Sequence, residues 1–299
     1  MLLAVDVRNR SISLGFHDGE GWIVLRELGA SSERSADEYG WSFARAFSEA
    51  ASRPGLAGAR VDRAIVSSVA PALTPRIVAA ISSAFGVSAH VVGPGSKTGV
   101  KIRSDLPQEV GSDIVCAAAA ARRLVVGAPC VVIDFGDAIV FSALNAEGDF
   151  VGAAIAPGLE AASQSLHTGA ALLPQVPFER PDRAIGRTTR ASIQSGLYHG
   201  YAGLVERLAA LFRAELAGAA GSAGAAGAAG NAAAIEVLVT GRSPAEEFVA
   251  GLQPCRHVES LALEGLVIIA GLVEGVGGGR QREHGLHQQE QRQQGPGAS

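Results

Sequence analysis

The chain carries one pattern of strands and turns twice. Residues 2–24 and 130–151 each contain an apolar strand ending in Asp, a short turn, an alternating strand, an acidic turn with Gly and a third short strand. Asp6 and Asp134 hold the same place in the two copies. Because chance does not readily supply five features in the same order, the sequence predicts an internal duplication.

Helix and strand patterns alternate after the first copy. Residues 35–48 begin with Ser35 and Glu38 at capping-box spacing and continue with apolar residues at helical intervals. Residues 63–71 and 89–95 are short apolar runs closed by Pro or Gly, which is typical of buried strands. This alternation predicts α/β layering.

The second copy is followed by a similar alternation. We predict a long helix over 188–216 that is broken near its glycines, a strand over 235–241 and an apolar helix over 261–272. Residues 217–234 consist almost entirely of Ala and Gly, so we expect a flexible loop there. Residues 277–299 are expected to be a disordered tail.

Length and composition limit the class of protein. A chain of 299 residues can bury two cores, and we expect one α/β domain over 1–120 and a second over 121–276, with a cleft between them. The net charge of -4 argues against a nucleic-acid partner. No apolar run approaches the roughly 20 residues of a membrane span, and the start lacks a signal-peptide pattern. We therefore expect a cytoplasmic protein without a membrane partner.

The duplicated aspartates suggest a binding site. A buried, unpaired carboxylate is costly, so Asp6 and Asp134 are expected at strand ends that face a cation or a charged ligand. Backbone N–H groups of two facing turns can cradle phosphates while the acids hold a hydrated cation. The alternative is that both aspartates only cap turns. We favour the phosphate site because the pair is repeated.

Several longer motifs occur in a characteristic order. They are LLAVDVRN at the start, SADEY, GPGSKTGVKIRSDLPQEVGSD (93–113), DFGDAIVF, GAAIAPGL (152–159), IGRTTRASIQSGLYHGYAGLVE (185–206), TGRSP and LALEGL. Together they resemble the motifs of type III pantothenate kinases, bacterial enzymes of the actin-like ATPase superfamily that catalyse the first step of coenzyme A synthesis. The resemblance extends from residue 1 to about residue 270.

The resemblance implies a fold and a reaction. The fold would be α/β, with two actin-like (ribonuclease H-like) domains and a cleft between them. The reaction would be ATP-dependent phosphorylation of pantothenate to 4'-phosphopantothenate, with Mg²⁺ and a monovalent cation, K⁺ or NH₄⁺, as cofactors. The family also builds its substrate pocket across a dimer interface, so a homodimer is expected.

Asp113 is the catalytic residue that the resemblance implies. It would take the proton from the primary hydroxyl of pantothenate as that oxygen attacks the γ-phosphate of ATP. In the sequence, Asp113 precedes an Ala-rich helical stretch, so we expect it near a helix start, where the dipole favours the ionised carboxylate. The alternative is an ordinary acid in a first helical turn.

The resemblance also implies binding roles for two groups of residues and for one cation ligand. The ATP-binding group is Asp6, Val7, Arg8, Asn9, Arg10, Ser11, Ile12, Ser13 and Asp137. The pantothenate-binding group is Ser104, Gly111, Ser112, Asp113, Ile114, His167 and Thr189, the last contributed across the dimer interface. Asp134 matches the position that binds the monovalent cation. A lone histidine is more often structural, and that alternative stays open for His167.

Four residues of the phosphate loops differ from the family pattern. Arg8 and Arg10 stand where the family has Gly and Thr, and Asp137 and Ile139 each stand where it has Thr. One hypothesis is that Arg10 and Asp137 form an ion pair that closes the phosphate site. The other is that Arg8 and Arg10 grip phosphate directly while Asp137 helps to hold Mg²⁺.

Two alternative functions stay open. One is a catalytically weak or inactive family member that acts as a binding or regulatory homodimer, which is indicated by these differences and by Ile114, where many members have an arginine. The other is a different actin-like enzyme, a sugar or acetate kinase or a phosphatase. The PQEVGSD block argues against that second alternative.

Overall fold

A computed structural model of the chain describes residues 1–56, 58–170, 172–222, 232–241 and 248–273. The predicted disordered tail lies outside the described residues, as does the middle of the Ala/Gly segment, residues 223–231. None of the helices among the described residues combines the length and the apolar character that a membrane crossing requires.

The first half of the chain forms a mixed five-stranded sheet. Its strands are β1 (Leu2–Val7), β2 (Ser11–His17), β3 (Trp22–Gly29), β4 (Arg63–Ser68) and β5 (Ala89–Val91), in the order β3-β2-β1-β4-β5. Strand β1 is antiparallel to β2 and parallel to β4. Helix α1 (Ala36–Ala51) begins with the predicted capping box, in which Ser35 and Glu38 exchange side-chain to backbone hydrogen bonds. Helix α2 (Thr74–Phe85) packs against α1.

The second half forms a sheet with the same topology. Its strands are β6 (Cys130–Phe135), β7 (Ala138–Leu144), β8 (Phe150–Pro157), β9 (Glu236–Gly241) and β10 (Cys255–His257), in the order β10-β9-β6-β7-β8. Strand β6 is antiparallel to β7 and parallel to β9, as β1 is to β2 and β4. The predicted internal duplication and the predicted α/β class are both confirmed.

Two helices lie between the sheets. Helix α3 (Ser112–Leu124) packs Cys116 and Ala119 towards the first sheet and Ala118 and Ala121 towards the second. Its run of alanines allows this close approach on both sides. The division into two domains stays a prediction, because α3 spans the expected boundary at residue 120 and contacts both sheets.

The last described helix, α6 (residues 261–273), agrees with the predicted apolar helix. It packs Leu263, Leu266 and Ile269 against the first sheet and α3. A Cβ atom at Gly265 would overlap the carbonyl oxygen of Cys116, so α6 crosses α3 in direct backbone contact. This contact fixes the position of α3, on which Asp113 lies.

Helix α4 (Leu159–Gly169) and helix α5 (Thr189–Ser222) belong to the second half of the chain. The predicted break in the long helix was wrong, because α5 is continuous through its glycines. Its residues at four-residue spacing, Ile193, Leu197, Tyr201 and Val205, are buried in the core of the second sheet. That burial outweighs the roughly 1 kcal/mol cost of each helical glycine. The loop predicted from residue 217 was also wrong for its first six residues, which continue α5 to Ser222.

Candidate functional site

Asp6 and Asp134 occupy equivalent positions near the ends of the central strands. Asp6 lies opposite Ser13 on β2 and Ser67 on β4, and Asp134 has the corresponding neighbours on β7 and β9. Both residues are buried, with 2% and 8% of their surface exposed. Two buried carboxylates therefore lie near the ends of equivalent strands in the two halves of the chain. Each needs a hydrogen-bonding or charged partner.

Arg8 is the partner of both aspartates. Its Nε atom donates to Asp6 Oδ2 at 2.8 Å, and its Nη2 atom donates to Asp134 Oδ2 at 2.7 Å. Arg8 follows Asp6 by two residues, so both side chains leave the extended chain on the same face. A Cβ atom at Gly136 would lie 2.5 Å from Arg8 Nη1, so the absence of a side chain there gives the guanidinium its space.

The guanidinium of Arg8 stays protonated in the site. Burial alone lowers the pKa of its guanidinium, but the carboxylates of Asp134, Asp6 and Asp113 outweigh burial and raise the pKa well above the ordinary value. Arg8 is therefore a permanent cation that joins the two hairpins. Its side chain is 17% exposed, so the two ion pairs are largely shielded from solvent.

Asp113 lies in the first turn of α3, as expected from the sequence. Its Oδ1 atom accepts a hydrogen bond of 2.8 Å from the backbone N–H of Ile114. The pKa of the Asp113 carboxyl is raised to about 6, and burial is the main cause. The charge of Arg8 opposes this rise, and the carboxylates of Asp6 and Asp134 add to it. Burial therefore outweighs the preference for the ionised form that we expected from the helix start.

The residues before Asp113 anchor the start of α3. The Ser112 hydroxyl donates to the backbone oxygen of Ser68 at 3.1 Å and accepts from the Ser68 N–H at 2.9 Å. It also lies 3.0 Å from the hydroxyl of Ser67. A Cβ atom at Gly111 would lie 2.5 Å from Asp113 Oδ1, so this glycine leaves room for the carboxylate. The end of β4 thus holds Asp113 in place through Ser112.

The hypothesis of an Arg10–Asp137 side-chain ion pair was wrong. The contact between these residues runs from the backbone N–H of Arg10 to Asp137 Oδ2 at 3.0 Å. The guanidinium of Arg10 turns to α4, where it contacts Glu160 and Gln164, each at 3.2 Å. The two phosphate loops do face one another, but the ion pair that joins them is formed by Arg8 and Asp134.

The remaining residues of the first loop differ in exposure. Val7 and Ile12 belong to the buried core of the first sheet, so their side chains are not available to a ligand. Asn9 is exposed in the turn between β1 and β2. Ser11 and Ser13 line a cavity of about 250 Å³ together with Asp6 and Arg8.

Two cavities flank the facing loops. The first is also lined by Gly136, by Thr240 at the end of β9 and by residues 259–263 at the start of α6. The second, of about 360 Å³, lies on the other side and is lined by Arg10, Asp137 and the start of α4 among other residues. The loops thus form the wall between two openings.

The predicted pantothenate-binding residues are spread over several elements. Ser104 has a buried hydroxyl oxygen without a hydrogen-bond partner among the described residues. His167 is exposed on α4, and its Nδ1 atom lies 2.9 Å from the backbone oxygen of Leu173. Thr189 is exposed at the first position of α5. The structure brings Asp6, Arg8, Asp113 and Asp134 together, whereas His167 and Thr189 lie at the surface.

Several contacts of the site join distant parts of the chain and were not predicted from the sequence. Glu160 and Gln164 hold the guanidinium of Arg10, and Ser67 holds Ser112. Gly136 makes space for Arg8. Of these, only Gly136 had a sequence signal, because it follows the apolar strand and its aspartate in the DFGD turn.

A metal ion does not fit between Asp6 and Asp134 in this arrangement, because the guanidinium of Arg8 occupies that position. Among the residues that the structure describes, no group of three or more His, Cys, Asp or Glu side chains is placed to hold a metal ion. The second oxygen of each aspartate, Oδ1, is buried and has no hydrogen-bond partner among the described residues. These two oxygens are the unsatisfied acceptors of the site.

Comparisons with known proteins give a consistent result. The family model of type III pantothenate kinase matches residues 2–211. A type III pantothenate kinase of Dehalococcoides mccartyi is 40% identical over 215 residues, which is 72% of this chain and 80% of that protein. The comparisons do not favour a non-catalytic alternative.

Two solved structures share the fold. A protein described as a Baf family transcriptional activator of Campylobacter jejuni has a TM-score of 0.52 and 14% identity, covering 91% of this chain and 99% of its own. A protein described as a 2-dehydro-3-deoxygalactonokinase of Sinorhizobium meliloti has a TM-score of 0.50 and 13% identity, with the same coverage of 91% and 99%. The fold class expected from the sequence, that of actin-like ATPases and sugar kinases, is confirmed.

Proposed function

The chain belongs to the type III pantothenate kinase family, and from this membership we propose how its own residues phosphorylate pantothenate with ATP. The observation that carries the proposal is the cluster of Asp113, Arg8, Asp6 and Asp134 around one position between the two hairpins. This cluster provides a base and a fixed positive charge at one place. Both are needed to transfer a phosphoryl group to a hydroxyl.

Asp113 is the proposed general base. The primary hydroxyl of pantothenate gives its proton to the Asp113 carboxylate as its oxygen bonds to the γ-phosphorus, and the bond to the β-phosphate oxygen breaks to release ADP. A pKa of about 6 leaves Asp113 mostly ionised at neutral pH and makes it a stronger base than an ordinary aspartate. The value suits a base that works near neutral pH.

The phosphates of ATP are proposed to bind at the first loop. The hydroxyls of Ser11 and Ser13 and the guanidinium of Arg8 are the donors on this side of the cavity. The backbone N–H groups of Arg8 and Arg10 already donate to Ser11 and Asp137, so they shape the loop. Asp137 faces this loop through the Arg10 N–H, and we propose that it orders the turn.

A kinase of this family uses ATP and a divalent metal ion, which lowers the charge repulsion around the transferred phosphoryl group. We propose that the monovalent cation, K⁺ or NH₄⁺, is held by the free Oδ1 atom of Asp134, because that oxygen is a buried acceptor without a partner among the described residues.

Pantothenate is proposed to bind on the Asp113 side. The unpartnered hydroxyl of Ser104 is the candidate contact. The Ile114 N–H already donates to Asp113 and the Gly111 oxygen accepts from the Val115 N–H, so we propose that these two residues hold the base in place. The hydroxyl of Ser112 is occupied by Ser67 and Ser68, so its role is to hold α3. The exposed positions of His167 and Thr189 support a site completed by a second copy in a homodimer. We also propose a cytoplasmic location, where ATP is available.

The proposed function is tested by product identification. The purified chain is incubated with pantothenate, ATP, Mg²⁺ and either K⁺ or NH₄⁺, and both ADP release and the mass of the product are measured. We expect 4'-phosphopantothenate from the wild type and loss of turnover in Asp113→Asn. A sugar and acetate serve as control acceptors. Lack of turnover by the wild type with every phosphoryl donor would favour the non-catalytic homodimer.

A further inference from the structure

We propose that Arg8 is a resident cation of the phosphate site, which takes the position between Asp6 and Asp134 and contacts the phosphates of the nucleotide in place of a metal ion. The proposal deepens the proposed function and depends on it only for the identity of the phosphate ligand. It rests on the geometry of the two ion pairs, on the donors that Arg8 leaves free and on the adjoining cavity.

The guanidinium of Arg8 takes the position of a bridging cation. A cation that bridges two carboxylates must contact one oxygen of each, and Arg8 does this with Nε on Asp6 and Nη2 on Asp134 at 2.8 and 2.7 Å. These are the lengths of charge-assisted hydrogen bonds. The space is also shaped for this side chain, because only a glycine at position 136 lets Nη1 approach.

Arg8 keeps N–H donors for a ligand. A guanidinium has five N–H groups, and the two bonds to the aspartates use two of them. The other three N–H groups of Arg8 donate no hydrogen bond to any described residue. Arg8 also lines the cavity of about 250 Å³ beside the hydroxyls of Ser11 and Ser13. A polyanion in this cavity meets a cation already held by the protein, and guanidinium groups bind phosphate oxygens well.

Arg8 also offsets the negative charge of the site. Asp6, Asp113 and Asp134 would place three negative charges around the acceptor of a phosphoryl group, and they would repel the nucleotide. Arg8 removes part of this charge without a metal ion. We therefore infer that the Asp6–Asp134 pair of the free protein does not take up a divalent cation, and that nucleotide binding does not require one at this pair.

The first test measures metal uptake by the protein alone. Mn²⁺ is titrated into the full chain without nucleotide, and free Mn²⁺ is followed by electron paramagnetic resonance. We expect no tight Mn²⁺ binding by the wild type and one tightly bound ion per chain in Arg8→Gly. The added site should be lost in the double variant Arg8→Gly with Asp134→Asn. Arg10→Thr is the matched control, because it removes a neighbouring positive charge that is not between the aspartates.

Two results of this titration would overturn the proposal. One is tight Mn²⁺ binding by the wild type that Asp134→Asn abolishes, since the pair would then be a metal site despite Arg8. The other is an Arg8→Gly protein that is folded by circular dichroism and yet binds no more Mn²⁺ than the wild type.

The second test uses only the wild type, because Arg8→Gly leaves two buried carboxylates unpaired and its folding is at risk. ATP affinity is measured by calorimetry with EDTA and again with Mg²⁺. The proposal predicts affinities within about threefold of each other, a difference of under 1 kcal/mol. Binding that needs Mg²⁺ by more than about a hundredfold would contradict it. Neither test contains pantothenate, so a failure of the proposed kinase reaction is detected separately.

Discussion

Arg8 and Asp134, 126 residues apart in the chain, form a hydrogen-bonded ion pair of 2.7 Å between Nη2 and Oδ2. This pair joins the first hairpin of one sheet to the first hairpin of the other. A second bond from the same guanidinium reaches Asp6, so one side chain holds the two duplicated aspartates together. Because the pair is largely buried, salt screens it less than a surface pair.

Removal of one partner is expected to destabilise the fold. Asp134→Asn leaves Arg8 with one carboxylate partner, and breaking a buried ion pair in this way costs about 3–5 kcal/mol. Urea unfolding followed by circular dichroism gives the free energy. Arg10→Thr is the control, because its exposed pair with Glu160 is worth under about 1 kcal/mol. Equal, small effects of both variants would show that the Arg8 pair contributes little.

Asp113→Asn is expected to stabilise the protein while it removes activity. The folded-state pKa of about 6 lies above the ordinary value of 3.8, so the folded protein holds the proton more tightly than the unfolded chain. Stability therefore falls as pH rises from about 4 to 6 and stays lower at neutral pH. The neutral amide of Asn removes this cost, so Asp113→Asn is expected to raise the free energy of unfolding by about 1–3 kcal/mol at pH 7. Urea unfolding at pH 7 measures it, and a destabilised Asp113→Asn would mean that the ionised carboxylate supports the fold.

Gly111→Ala tests the space beside the proposed base. The added Cβ would lie 2.5 Å from Asp113 Oδ1, so the carboxylate must move. A displacement of about 1 Å can lower the rate about a hundredfold, and we expect that loss in kcat/KM with little change in Tm. Gly29→Ala is the matched control, because its Cβ would meet nothing within 4 Å. Unchanged turnover in Gly111→Ala would indicate that the position of Asp113 is not critical.

The crossing of α3 and α6 is tested by two glycines of the same helix. Gly265→Ala forces a methyl group against the backbone of Cys116 and is expected to cost about 1–3 kcal/mol. Gly271→Ala adds the same methyl group where nothing lies within 4 Å, and it should stabilise the helix by up to about 1 kcal/mol. Thermal unfolding of the two variants gives the comparison. Equal effects would contradict the close crossing.

Local sequence signals predicted much of this fold. The repeated hairpins, the capping box at Ser35 and the buried strands all follow from spacing and polarity within a few residues of each other. The continuous helix α5 did not, because its glycines carry a local cost that only packing against a distant sheet offsets. Burial against the rest of the fold therefore outweighs local helix propensity where the buried surface is large.

The candidate site was predictable in outline and not in detail. The duplication pointed to Asp6 and Asp134 as a pair, but two arginines two residues apart could each have crossed to the other hairpin. The side chain of Arg8 leaves the chain on the Asp6 face, whereas Arg10 turns to Glu160. The spacing places Arg8 on the Asp6 face, but the partner that each guanidinium reaches depends on where the second hairpin and α4 lie, which the sequence pattern does not specify.

The pH dependence of kcat/KM for pantothenate tests the central claim, that Asp113 is the base and shares one electrostatic site with Arg8, Asp6 and Asp134. The wild type is predicted to lose activity below a pKa of about 6, because protonation removes the base. In Arg8→Gln, loss of the charge that lowers the pKa of Asp113 should move this point to higher pH. A wild-type profile that stays flat well below pH 6, or the same profile in both proteins, would contradict the account.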